Sequence, residues 1–296
     1  MENNVRIDTV KTNTEQTAVF DKQEWMRQKS AERESAFRMM DEMTDLIKMR
    51  TSDLRNFLDL MARLPGFSVG NLLLVAAQKP DATSLRDFGE WKALGTSIKK
   101  GQTGIMLLEA GKEYRKADGT AGMRYNIKRV FDISQTKALS NPEVPFQYQT
   151  QRLLDALMSG PLCEVITYAD MEEDAVYDTE NSVIKLRDGL RISDAVKALS
   201  RETARACLCS GDHIPDNADE TAVCASYVFL KRKGADLSDT DLSRVTSCIK
   251  DLQQFAGKTV LHTRMPKVTN SARQNSVKSS IKTESKPQTL NHLKRD

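Results

Sequence analysis

Between Lys22 and Leu64 the chain has no glycine or proline, and its apolar residues recur every three or four positions: Phe37, Met40, Leu46 and Ile47, then Leu54, Phe57, Leu58, Met61 and Leu64. That spacing puts them on one face and predicts two helices, the second stopped by Pro65-Gly66. Ser68 is placed to cap a third helix, with Phe67 in position to staple onto Leu72. This helix runs to Gln78 and ends before Pro80. Past Trp91 the period falls to two. Strands are expected over 104–109, 113–115 and 123–133, with Asp118-Gly119 as the turn between the last two. Along the third strand Arg124, Asn126 and Lys128 point one way and Met123, Tyr125 and Ile127 the other.

The second half repeats the change of period in another order. A segment with two prolines, Ser140 to Pro145, reads as a linker. After it come a helix over 149–159, a strand over 163–167 and a hairpin over 176–186 turning at Thr179-Glu180-Asn181. Ser193 is the expected cap of a helix reaching Cys209. A loop over 213–220 leads to a helix from Thr221 to Arg232, closed by Gly234, and a last helix spans Leu242 to Phe255. The class is α+β: N-terminal helices with a small antiparallel sheet, then a mainly helical unit. Residues 1–20 and 259–296 are polar and aperiodic and are expected to be disordered. The expected organisation is a lead over 1–20, a first domain over 21–139, a linker over 140–148, a second domain over 149–258 and a tail over 259–296.

Composition changes this picture little. A length of 296 residues suits two domains, and 39% hydrophobic with 29% charged residues is ordinary for a soluble protein. No apolar run of about 18 residues is present to span a membrane, and no secretory leader is visible, so the cytoplasm is the expected location. Five cysteines, an odd number, point to reduced thiols. Cys207 and Cys209 with His213 lack the paired spacing of a structural zinc site.

Charge is more informative. The net value of +3 conceals −2 over residues 1–59, +6 over 60–139, −7 over 140–261 and +6 over 262–296. The basic excess of 60–139 falls on the predicted sheet, whose exposed face is expected to carry Lys112, Tyr114, Arg115, Lys116, Arg124, Tyr125, Lys128 and Arg129. Basic side chains meet phosphates and rings stack on bases, so the pattern suits single-stranded DNA. Trp91 is either a further stacking ring or core. Lys99 and Lys100 sit beside Gly101 and Gly104 in a loop that suits a phosphate contact. Asn71 and Gln78 lie two turns apart on one helix face, and their amides can bond either a nucleotide or neighbouring backbone.

Three stretches in one order, FSVGNLLLVAAQKPDAT from Phe67, DFGEWKALGTSIKKGQTGI from Asp87 and NIKRVFDISQT from Asn126, resemble the N-terminal domain of ArdC-type antirestriction proteins. The resemblance covers about a quarter of the chain and implies a single-stranded-DNA-binding module. In many such proteins a zincin-like metallopeptidase domain follows, with H-E-x-x-H on a helix. Here the corresponding helix reads Arg201-Glu202-Thr203-Ala204-Arg205, with Tyr177 and VIKLRDGL before it and ADETAVCASYVFLKRKGADLSD after it. Arginine is always protonated and has no lone pair for a cation. Glu202 has no metal-bound water to activate, and Asp219 or Glu220 alone at the third ligand position does not rebuild a site.

The resemblance therefore implies no catalytic metal, no cofactor and no enzyme activity in the second domain. It also implies single-stranded DNA as the partner, within an antirestriction or DNA-protection role on a plasmid or conjugative element. Host restriction or conjugation proteins are further candidate partners, and no membrane is involved. Two other readings stay open: a protein-directed inhibitor of a DNA-handling enzyme, and a working zinc metallopeptidase.

Overall fold

The computed structural model describes residues 21–138, 150–160, 162–210 and 216–248. In chain order they form α1 (Lys22–Met49), α2 (Thr51–Arg63), α3 (Val69–Gln78), β1 (Leu85–Arg86), α4 (Phe88–Ala93), β2 (Ile105–Arg115), β3 (Ala121–Asp132), α5 (Thr150–Met158), β4 (Glu164–Tyr168), β5 (Ala175–Asp178), β6 (Val183–Arg187), α6 (Ile192–Cys209), α7 (Ala218–Arg232) and α8 (Ser243–Cys248). The class is α+β, with two three-stranded sheets ordered β1-β3-β2 and β4-β6-β5. The expected lead, linker and tail lie outside the described residues.

The helical periodicity of the first half translates into burial. Met40, Ile47, Leu54, Phe57, Leu58, Met61 and Leu64 are core, while Phe37 and Leu46 are exposed. Asp21 opens α1 by accepting the N–H groups of Gln23 and Glu24, and the extended backbone of Arg50 separates α1 from α2. Ser68 caps α3 through the Asn71 N–H. Gly70 lets α3 approach α1 closely, since a Cβ there would lie 2.9 Å from the Met40 methyl group.

Strands 104–109 and 113–115 are in fact one strand. β2 pairs with β3 along its length, and a bulge between Ala110 and Glu113 absorbs one extra residue. The short elements β1 and α4 were not anticipated. α4 is held by a capping box between Asp87 and Glu90.

In the second half β4 runs parallel and β5 antiparallel to the central β6. The hairpin at 179–181 is present, with Asp178 accepting the N–H groups of Glu180 and Asn181. Helix α6 starts one residue before the expected cap. Arg191, not Ser193, holds the N-cap position, and its guanidinium pairs with Asp194 at 2.8 Å. Helix α7 begins at Ala218, which brings Asp219 and Glu220 into its first turn, where the helix dipole favours carboxylates. Gly234 follows α7 with φ +79°, as a C-terminal glycine. The last helix is described as far as Cys248.

Ala175, Tyr177, Ile184 and Leu186 share the buried face of the second sheet, on which α6 packs. Helix α2 lies on α7, so the two halves share one core. Arg55 clamps this contact, donating to the carbonyls of Leu237 and Thr240 at 2.8 and 2.5 Å and lying over the Tyr227 ring. Tyr227 in turn donates to Asp59.

Candidate nucleic-acid interface

The β2–β3 hairpin is buried only at its base. Ile105, Met106, Leu107 and Val130 are core, whereas nearly every residue from Glu109 to Asn126 is exposed or half-exposed. Among the described residues the distal half is therefore an exposed arm, touched on one side by α1. The turn at its tip is closed by the Lys116 N–H on the Thr120 carbonyl at 2.8 Å, with Gly119 at φ +82°.

The expectation that all the basic residues share one face is corrected by the register. Facing pairs in an antiparallel ladder share a face, so Ala110/Tyr125 and Met106/Arg129 lie on one side, and Leu107/Lys128 and Tyr114/Gly122 on the other. The first side turns toward α1. Tyr125 meets Phe37 edge-on with centroids 6.0 Å apart, and Arg129 pairs with Glu32 at 3.1 Å. On the other side Lys128 pairs with Asp87 at 3.1 Å. Its pKa is raised by that carboxylate, while Asp87 is held below its usual value by the Glu90 N–H and by Lys128.

The Tyr114 ring packs against Gly122, where a Cβ would sit 2.7 Å from it. The Arg124 guanidinium is 5.4 Å from the ring centroid. Tyr114 remains 41% exposed. Among the described residues, Lys112, Arg115, Lys116 and Arg124 have no carboxylate partner. The arm thus carries a ring and guanidinium in contact, with Lys112, Arg115 and Lys116 as further cations along its distal half, Arg115 on the opposite side from Tyr114. Lys99 and Lys100 sit at the far end of β2. Both are exposed; Lys99 is anchored, its backbone N–H on the Gln135 carbonyl and its ammonium on that of Ser134, both at 2.9 Å.

Three other expected contacts are occupied inside the fold. Trp91 is 3% exposed, donates its indole N–H to the Phe131 carbonyl and lies under Arg86, so its ring belongs to the core. Asn71 donates to the Leu108 carbonyl at 3.0 Å and accepts its N–H at 2.8 Å. Gln78 does the same for Met106, at 3.0 and 2.9 Å. Met106 and Leu108 are on the outer edge of β2, and the two amides of α3 close that edge as a neighbouring strand would.

The Arg201-Glu202 helix closes a second edge. Glu202, 3% exposed, accepts the Tyr177 N–H at 2.9 Å and the Arg201 Nε–H at 2.8 Å. Arg201 also reaches the Ala175 carbonyl at 3.4 Å. The Arg187 N–H bonds the Asp174 carbonyl, so alternate residues Asp174, Val176 and Asp178 face β6 while Ala175 and Tyr177 face outward. Arg201 and Glu202 therefore cap the outer edge of β5. Arg205 lies 3.9 Å from Glu202 and 2.9 Å from Asp219. Its Nε is close to the Asp219 oxygen but not aligned for a hydrogen bond.

Both positions expected from the zincin pattern thus hold guanidinium groups against a buried carboxylate. No group of three or more His, Cys, Asp or Glu among the described residues is arranged to hold a metal ion. His213 lies outside the described residues. A cleft of about 250 Å³ opens between α6 and α7. Of the charges lining it, Lys197 pairs with Asp239, Asp194 with Arg191, Asp174 with Arg187 and Arg201 with Glu202, and Asp241 accepts the Ser243 N–H.

Sequence reasoning missed the edge-closing roles of Arg201 and Glu202, whose only signal is a glutamate at a position of the buried face of α6, between Leu199 and Ala206. No described helix is long and apolar enough to cross a membrane.

No protein-family model matches the chain, and neither does any curated protein. Among solved structures it is similar to the antirestriction protein ArdC from plasmid R388. The metal-free crystal structure is 17% identical over 67% of this chain and 80% of that one, with a TM-score of 0.44. The Mn(II)-bound structure is 14% identical over 77% and 92%, with a TM-score of 0.48.

Proposed function

We propose that this chain binds single-stranded DNA through the β2–β3 arm, as an antirestriction or DNA-protection accessory protein whose second half is not catalytic. The observation that carries the reading is the Tyr114–Arg124 pair, on a side of the arm that the other described residues leave exposed. A ring and a guanidinium offer faces to unstacked bases, while Lys112, Arg115 and Lys116 supply cations for the backbone, and this combination is tolerant of sequence. Duplex DNA hides its base faces, so single strands are the preferred form. The antirestriction context comes from the resemblance of the three stretches between Phe67 and Thr136.

The non-catalytic reading of the second half rests on Arg201 and Arg205, cations that would repel a metal, and on Glu202, whose carboxylate already accepts two hydrogen bonds within the fold. Without a metal-bound water, a general base at this position has nothing to activate. The test is a fluorescence-anisotropy titration of the full chain with a labelled oligothymidylate, competed with unlabelled single strands and duplex of the same length. Preference for single strands, lost on Tyr114→Ala and Arg124→Ala, supports the reading. Equal competition by duplex, or binding indifferent to both substitutions, contradicts it.

A further inference from the structure

The second sheet has two outer edges, β5 and β4. β5 is closed by Arg201 and Glu202. The other is β4. The Tyr168 carbonyl accepts the Asp188 N–H at 2.8 Å, which sets the phase of the β4–β6 ladder. Glu164, Ile166 and Tyr168 turn their backbone groups to β6, and Val165 and Thr167 turn theirs outward. Among the described residues nothing bonds those outward N–H and C=O groups. Two polar side chains of α6 blunt the β5 edge of this sheet, whereas β4 is left as a template for pairing.

The surroundings specify the partner by charge. Glu164 opens β4, and Asp170, Glu172 and Glu173 follow its C-terminal end; among the described residues none of these four is in an ion pair, while Asp174 beside them pairs with Arg187. We propose that β4 is a docking edge for an extended, basic polypeptide segment of a partner protein, which adds to the second sheet as a strand. Main-chain bonds to Val165 and Thr167 supply the pairing, and the carboxylates select lysine and arginine on the incoming strand. The site is separate from the β2–β3 arm, and the proposal stands independently of DNA binding.

The probe is a short acetylated, amidated peptide in which Lys alternates with Val, added to the full chain. Amide hydrogen exchange should show Val165 and Thr167 exchanging rapidly in the free protein and becoming protected with the peptide. Thr167→Pro removes an outward N–H that the sheet does not use, so the fold is kept, as prolines are on sheet edges. It should weaken peptide binding by about tenfold or more. A peptide of the same charge, N-methylated along its pairing edge, should not protect the two amides.

Protection of Val165 and Thr167 already present in the free protein would show that the chain or a second copy of it closes the edge, and would overturn the proposal. Equal protection by the N-methylated peptide would overturn it as well, by reducing the contact to charge alone. The exchange measurement is made on the unsubstituted protein, so it decides the question even if Thr167→Pro fails to fold.

Discussion

Asn71 meets Leu108 twice, donating to its carbonyl at 3.0 Å and accepting its N–H at 2.8 Å, so that one helix side chain substitutes for a paired residue at the edge of the sheet. Gln78 repeats the contact at Met106, two residues away along β2. Buried backbone groups left without partners are costly, and two amides satisfy four of them here. The same contacts fix α3 to the base of the arm.

Replacing Asn71 by Leu keeps the branched shape of the side chain but leaves the Leu108 N–H and C=O unpaired. We expect a loss of about 1–3 kcal/mol in urea unfolding. The salt dependence of DNA binding in the folded variant should stay as in the parent, because no charge is removed.

Asp132 gives a prediction on acid stability. It is buried and accepts the N–H groups of Thr83, Ser84 and Ser134 at 2.7, 2.9 and 2.9 Å. Burial raises its pKa, but the bonds from Ser134, Ser84 and Thr83 outweigh burial and hold it below the ordinary value. A carboxylate with a lowered folded-state pKa contributes stability above its unfolded value, about 3.9, and loses it as pH falls through the folded one. Asp132→Asn should therefore lower the thermal midpoint at neutral pH, and the gap from the parent should close as pH falls below about 4. A gap that stays constant over that range would exclude the carboxylate as its source.

Glu202→Gln tests the second half. The Tyr177 N–H can still be accepted, but the new amide group faces Arg201 and Arg205, so about 1–3 kcal/mol of stability should be lost. DNA binding should not change, and dialysed parent protein should hold no stoichiometric zinc by elemental analysis. One zinc per chain, or proteolysis abolished by this substitution, would put a metalloenzyme first.

Much of the fold was legible because periodicity reports burial directly: the stripe from Met40 to Leu64, the Ser68 cap, the turn at Gly119 and the hairpin before α6 can all be read from spacing. The site was less legible, because the same side chain can serve either the fold or a ligand. An amide seven residues from another marks a shared face but not what the face meets, and Asn71 and Gln78 meet a strand edge. Alternation separated Arg124 and Lys128 from Tyr125, yet which side is covered depends on α1, and no local pattern records that helix's position. The Gly111-Lys112 break reads as a strand end, although a bulge carries the ladder through it. Glu202 on the buried face of α6 signals a polar contact but not the β5 edge that it and Arg201 close, because that contact joins residues 26 and 25 positions apart.

Among the rings, Tyr114 and Tyr125 should separate cleanly. Tyr114→Ala should lower affinity for single strands by about 1–3 kcal/mol with the salt slope nearly unchanged, since stacking carries no charge. Tyr125, turned toward Phe37, should give a much smaller loss in the same titration.

The central claim is that the arm binds nucleic acid, and its cations test it most directly. Affinity of the full chain for a labelled oligothymidylate should be measured across a range of salt concentrations, for the parent and for a variant with Lys112, Arg115 and Lys116 all replaced by Gln. Each phosphate that is no longer neutralised should reduce the slope of log affinity against log salt by roughly 0.7, so the variant should bind more weakly and fall short of the parent slope by about 2. An unchanged affinity and slope in a folded variant would contradict the account and remove the arm from the interface.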